Sequence, residues 1–305
     1  MSLALIFPGQ GAQQPGMGRG LLDHGSPAHP LAMAASEVVG RDLVALACEG
    51  SAEDIRATDV AQPLLLLHSL ALLQLVPGAL RDSAAGFAGH SLGEYSALVA
   101  AGSLDWRAAL RLVRERGLAM AEASSAEQGM SAVLALDEPQ VQSVLAAGAG
   151  GVAVIANLNA PGQVVISGER AALEALAEPL KAAGARRVIP LDVGGAFHSP
   201  LMAGAAERLG AAIDASPLRQ GKPQAFNVDG SVRTQPREIA AALRAQLTAP
   251  VRWVDCVRTL AALGADRFVE LGPGSTLTGL GRRIQPDAAW AAASSPAAVE
   301  ELLAT

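Results

Sequence analysis

A parallel β-sheet layered with helices, an α/β architecture, is the expected fold of this chain, with a smaller antiparallel lobe inserted into it. Three observations lead there. Residues 1–127 and 195–305 alternate short apolar runs with helical segments, the rhythm of strands and their crossover helices. Between them, residues 128–194 switch to the order strand, helix, strand, strand, helix, strand. Residues 84–101 read as a short apolar run, a tight Gly-His-Ser-Leu-Gly turn and a run of good helix formers, which is a strand reversing sharply into a helix.

Composition bounds the answer. The chain has 305 residues, half of them apolar and 17% charged, enough to bury one large core plus a smaller one and too apolar for a disordered polymer. A net charge of −6, with no basic block, argues against nucleic acid as the main ligand. Cys48 and Cys256 stand far apart without neighbouring ligands, so core thiols and no metal site are expected. Leu3 to Phe7 is too short for the core of an export signal. The most apolar stretch, Leu64 to Val76, is broken by His68, Ser69 and Gln74 and falls short of a membrane span. A cytoplasmic protein without membrane contact is expected, with a monomer as the default.

In order along the chain, Ala4 to Phe7 is a first strand ending at Pro8-Gly9-Gln10-Gly11. Helices are expected around 31–47, 63–76, 92–101 and 104–122. In the inserted segment, Met130 to Leu136, Gly151 to Asn157, Gln163 to Ser167 and Arg187 to Val193 read as strands. Glu138 to Ala147 and Arg170 to Ala183 read as helices, and Asn159-Ala160-Pro161-Gly162 as a turn. That βαββαβ order is the ferredoxin-like one. Helices follow near 200–213, 236–247 and 252–263. A strand at Arg267 to Leu271 then leads through Gly272-Pro273-Gly274 into a last helix.

The Gly-x-Ser-x-Gly turn suits a nucleophile, because a serine hydroxyl attacks only when the backbone aims it and a base takes its proton. It leaves Ser91 at the tip and the amide of Leu92 at a helix start, aimed at any oxyanion formed there. Of five histidines, His24 and His29 lie in a Gly/Pro-rich loop, His68 inside an apolar helix, and His90 diverges from Ser91 across the turn. His198 follows a strand, where sheets of this class place ligands, and is the best base by elimination. On the helix over 104–122, a turn of about 100° per residue groups Arg107, Arg111 and Arg114 on one side. Arg116 falls opposite, amid Ala109, Leu112, Val113 and Met120, where a guanidinium needs a carboxylate. Either an Asp or Glu of the chain supplies it, or the substrate does.

Taken together, Phe7-Pro8-Gly9-Gln10-Gly11, Gln62-Pro63, Gly89 to Tyr95, Arg116, Gly195-Ala196-Phe197-His198-Ser199, Gln246 through Pro250-Val251-Arg252-Trp253, Gly272-Pro273-Gly274 and Leu277 to Leu280 resemble the malonyl-CoA:acyl carrier protein transacylases over nearly the whole chain. The resemblance implies an α/β-hydrolase-like large domain, residues 1–127 and 195–305, with a ferredoxin-like subdomain at 128–194. It implies Ser91 as nucleophile, His198 as base, and the amides of Gln10 and Leu92 as oxyanion hole. It further implies that Arg116 holds the malonyl carboxylate, that Phe197 and Gln62 shape the pocket, and that the Gln246 main-chain carbonyl orients the histidine. Malonyl-CoA and acyl carrier protein are the implied partners, with no bound cofactor. Arg186-Arg187 with Lys181, or Arg282-Arg283, are candidate docking patches.

The rival within enzymology is a serine acyl hydrolase, whose triad places an acid between serine and histidine. Asp105, Asp137 and Asp192 are available, none convincingly placed. A non-catalytic docking subunit is the second rival, disfavoured by an intact serine–histidine pair. Neither Gly9-Gln10-Gly11 nor Gly272-Pro273-Gly274 completes a nucleotide-binding pattern.

Overall fold

Strand β1 (Leu3–Phe7) is buried along its whole length, and its side chains divide between two cores. Leu3, Leu5 and Phe7 join the larger apolar cluster on one face of the sheet, Ala4 and Ile6 a second cluster on the other. Period-two alternation with both faces buried is what a central strand of a helix-covered parallel sheet requires. In the computed structural model, which describes residues 2–148 and 150–304, β1 pairs in parallel with β2 (Gly86–Gly89) and β9 (Arg267–Leu271). The order is β10-β9-β1-β2-β7-β8, completed by β7 (Gln224–Ala225), β8 (Val232–Arg233) and β10 (Ala289–Ala293). All neighbours are parallel except β7 and β8.

The antiparallel sheet has the order β4-β5-β3-β6, from β3 (Gln128–Leu134), β4 (Ala153–Ala160), β5 (Gln163–Glu169) and β6 (Arg187–Pro190). Helices α7 (Glu138–Ala146) and α8 (Arg170–Ala182) cover one face through Val133, Ile155, Ile166 and Leu176. The other face turns Met130 and Val165 toward the large core. A single bridge, Asn157 to Val251, ties β4 to the larger sheet's surroundings.

The helices that precede the antiparallel sheet in the chain are α1 (His29–Val39), α2 (Leu43–Glu49), α3 (Thr58–Leu75), α4 (Gly78–Asp82), α5 (Gly93–Ala100) and α6 (Trp106–Glu122). After the inserted sheet come α9 (Ala203–Asp214), α10 (Pro236–Gln246), α11 (Trp253–Ala262), α12 (Thr276–Ile284) and α13 (Pro296–Ala304). The helix expected over 31–47 is two helices. Gly40 sits at φ 69°, which ends the first, and the Asp42 side chain accepts from the Ala45 amide to start the second. The helix expected to open at Pro63 begins at Thr58, because burial of Val60, Ala61 and Gln62 extends it through the proline. Strand β4 runs on to Ala160 and shortens the expected turn to Pro161-Gly162, with Gly162 at φ 69°. Strand β6 stops at Pro190, where a missing N–H ends the ladder, rather than at Val193.

Candidate active site

The turn between β2 and α5 exists because three residues have no side chain to obstruct it. A Cβ on Gly89 would stand 1.9 Å from the Gly93 carbonyl, one on Gly93 2.1 Å from the Phe7 oxygen, and one on Gly9 2.4 Å from the His90 oxygen. The chain reverses so sharply that Ser91 takes φ 50°, a left-handed conformation that costs a non-glycine residue about 1–2 kcal/mol. Fixed hydrogen bonds hold it there. His90 N–H donates to Phe7 O at 3.0 Å, and Ser91 N–H to Asn227 Oδ1 at 2.7 Å. Asn227 Nδ2 donates to Gly89 O at 2.8 Å, so one asparagine braces both ends of the turn.

His198, in the loop between β6 and α9, is also left-handed, at φ 58°. Its Nε2 lies 2.8 Å from Ser91 Oγ and its Nδ1 2.9 Å from the main-chain oxygen of Gln246. A carbonyl only accepts, so Nδ1 carries the proton and Nε2 is left to accept from the hydroxyl. Burial, and then the positive charge of Arg116, push His198 down to about 3, so the imidazole is neutral at physiological pH.

Arg116 projects from the inner face of α6 and is 1% exposed. Its Nη2 donates to Ser91 Oγ at 2.9 Å and to Gln246 Oε1 at 3.0 Å, and its Nε is buried with no hydrogen-bond partner among the described residues. Among the described residues it forms no ion pair. A buried carboxyl, Glu94, stands one amide away: Gln246 Nε2 donates to Glu94 Oε2 at 2.5 Å and to Ser91 O at 2.9 Å. Burial raises the Glu94 carboxyl, against hydrogen bonds from Asn227 and Gln246 and the charge of Arg116, which lower it.

A cavity of about 260 Å³ opens in front of this cluster, mostly apolar, between the loop after β1 and the face of the antiparallel sheet that turns toward the large core. Ser91, His198, Gln10 and Phe197 line it with Met120 and Met130. Arg116, Leu92, Gln62 and Gln246 lie behind its wall. The amides of Gln10 and Leu92 have no acceptor among the described residues, which leaves both free for an oxyanion. Gln62 stands one layer deeper than a pocket residue. Its Nε2 faces Gln10 Oε1 at 3.4 Å and Met120 Sδ at 3.3 Å, so it braces the Gln10 loop.

Two residues of the cluster escape a reading of the sequence. Glu94 passes for an acid placed in a helix's first turn to complement the dipole, and Asn227 carries no local signal. The three aspartates weighed as triad acids are engaged elsewhere. Asp105 caps α6, Asp137 accepts from Gly162 N–H, and Asp192 pairs with Arg56 at the surface. Of the basic pairs, Arg282 and Arg283 are tied to Trp290 O, Gln163 and Pro161 O, whereas Arg186 and Arg187 are exposed. Among the described residues, no helix is long and apolar enough to cross a membrane.

Comparison with known proteins follows the same line. A family model for the acyl transferase domain matches residues 4–297. A malonyl CoA-acyl carrier protein transacylase of Bacillus subtilis is 40% identical, covering 99% of this chain and 96% of its own. The crystal structure of an acyl carrier protein S-malonyltransferase from Vibrio cholerae superposes with a TM-score of 0.94 at 38% identity, over 99% of this chain and all of that one. A type II PKS acyl-carrier protein in complex with its malonyl-transacylase matches with a TM-score of 0.94 at 37% identity, over 100% and 99% of the two chains. This chain is therefore an acyltransferase and belongs to the acyl transferase domain family, among its malonyl CoA-acyl carrier protein transacylases.

Proposed function

We propose that the chain transfers a malonyl group from malonyl-CoA to the phosphopantetheine thiol of an acyl carrier protein, through a malonyl ester on Ser91. The observation that carries this reading is the pair of contacts on Ser91 Oγ: a neutral imidazole at 2.8 Å and, at 2.9 Å, a buried guanidinium with no ion pair among the described residues. The relatives' names and the carrier-protein complex support both substrates.

Ser91 Oγ attacks the thioester carbonyl while its proton passes to His198 Nε2. The oxyanion rests on the amides of Gln10 and Leu92. Collapse breaks the C–S bond, and His198 returns its proton to the CoA sulfur. The carrier-protein thiol then gives its proton to His198 and attacks the ester, and the proton goes back to Ser91 as the malonyl thioester leaves. The Gln246 carbonyl keeps the imidazole in the tautomer this needs, where a hydrolase would use an acid.

Acylation also explains how a guanidinium behind the cavity wall meets the substrate. Ser91 Oγ becomes an ester oxygen, a weaker acceptor, and the malonyl carboxylate lies one methylene beyond the ester carbonyl. Arg116 Nη2 exchanges one partner for the other, and the unpartnered Nε offers a second donor. Phe197 at the cavity wall selects for a small acyl group, and Gln62 acts through Gln10. In this reading residues 128–194 are the small subdomain, and the protein works as a cytoplasmic monomer without a bound cofactor. The test is transfer of malonyl from malonyl-CoA to a holo carrier protein, followed beside its hydrolysis. Transfer outrunning hydrolysis is expected, and release of free malonate irrespective of carrier protein contradicts it.

A further inference from the structure

A carboxylate with no part in the reaction as drawn is joined to it by a single amide. Glu94, in the first turn of α5, is completely buried. Its Oε1 accepts the main-chain N–H of Asn227 at 2.6 Å, and its Oε2 accepts Nε2 of Gln246 at 2.5 Å. The far side of the Gln246 amide accepts from Arg116 Nη2. A carboxamide turned over keeps its shape, so its neighbours decide its direction. Ser91 O is a carbonyl, can only accept and requires the N–H end, which then also faces Glu94 Oε2. Arg116 can only donate and requires the oxygen. One orientation satisfies all three.

We propose that Glu94 is a positioning residue for acyl transfer: through the Gln246 amide it holds the Arg116 guanidinium against Ser91, and so sets the preference for acyl groups that end in a carboxylate. The proposal rests on the malonyl reading above. Its physical content is that both oxygens of residue 94 must accept. A glutamine there keeps the size but not the pattern. Its oxygen is claimed by the Asn227 N–H, which cannot turn, and its NH₂ then meets the NH₂ of Gln246. Gln246 either loses that contact or turns over, presenting N–H to Arg116 and oxygen to Ser91 O. In both cases the anchor that aims the guanidinium is gone, while the bond from Ser91 N–H to Asn227 and the Gln246 main-chain carbonyl on His198 remain.

The test measures kcat/KM for malonyl-CoA and for acetyl-CoA, with one carrier protein, in wild type, Glu94→Gln and Glu94→Asp, with thermal melting alongside. Glu94→Gln is expected to lower the malonyl-to-acetyl ratio by about ten- to a hundredfold, the loss of one charge-assisted hydrogen bond. Glu94→Asp keeps two accepting oxygens and is expected to regain most of the ratio, although its shorter side chain lowers Tm. A merely structural role moves both thioesters together, so equal losses in Glu94→Gln overturn the proposal. Equal collapse of the ratio in both variants does so too. If Glu94→Gln does not fold, Glu94→Asp decides: a ratio near wild type despite a lower Tm supports the proposal, and a collapsed ratio overturns it. A wild-type enzyme with no malonyl preference would instead contradict the malonyl reading, which keeps the two failures apart.

Discussion

Replacing Arg116 with alanine separates what its guanidinium does for every acyl group from what it does for a carboxylate. In the free protein Nη2 bonds to Ser91 Oγ and Gln246 Oε1, so its loss affects the nucleophile whatever the substrate. The contact to a malonyl carboxylate exists only when that carboxylate is present. One charge-assisted hydrogen bond contributes about 1.5–3 kcal/mol, or about ten- to 150-fold in kcat/KM when made in the transition state. A second effect runs the other way. Arg116 lowers His198, so removing it makes the imidazole more basic for neutral and charged substrates alike. Both shared effects cancel in a ratio. Arg116→Ala is expected to lower kcat/KM for malonyl-CoA at least about tenfold more than for acetyl-CoA, assayed with the same carrier protein. Arg116→Lys, a point charge without the planar fork, should fall between. Equal losses on the two thioesters refute the argument and make Arg116 a structural partner of Glu94.

Other expectations follow from the same geometry. With His198 held to about 3, the rate of Ser91 acylation should stay level from pH 7 down to about pH 5 in stopped-flow measurements, and an acidic limb centred between 6 and 7 speaks against a buried neutral base. Phe197→Ser should raise the use of methylmalonyl-CoA relative to malonyl-CoA in direct competition, since Phe197 lines the cavity beside the base; an unchanged ratio removes it from the specificity account. Gly89→Ala forces a methyl group to 1.9 Å from backbone and should cost about 3 kcal/mol or more, read as a large fall in Tm or in soluble yield.

The elements that could be read in the sequence are those whose causes are local. Gly-His-Ser-Leu-Gly announces its turn because steric freedom at Gly89 and Gly93 is a property of those residues alone. Arg116 is visible because helical periodicity places it on the buried face of α6 without knowledge of its partners. His198 emerges by elimination, yet nothing local to it discloses φ 58° or the Gln246 carbonyl that orients it. Where causes are distant, the reading fails. Strands β7 and β8 are two residues each, too short for any periodic signal, and β10 is an alanine-rich run that becomes a strand by pairing with β9. Asn227 matters through an amide 136 residues away, and Glu94 through a glutamine 152 residues away. The helix expected over 31–47 divides because Gly40 and Asp42 act together as a stop and a start.

Mixing the protein with malonyl-CoA and weighing it intact tests the account at its centre. A gain of one malonyl group is expected, mapped by peptide analysis to Ser91 and absent from Ser91→Ala, whose melting temperature should stay near that of wild type. A malonyl adduct that persists in Ser91→Ala, or that maps to any other residue, contradicts it.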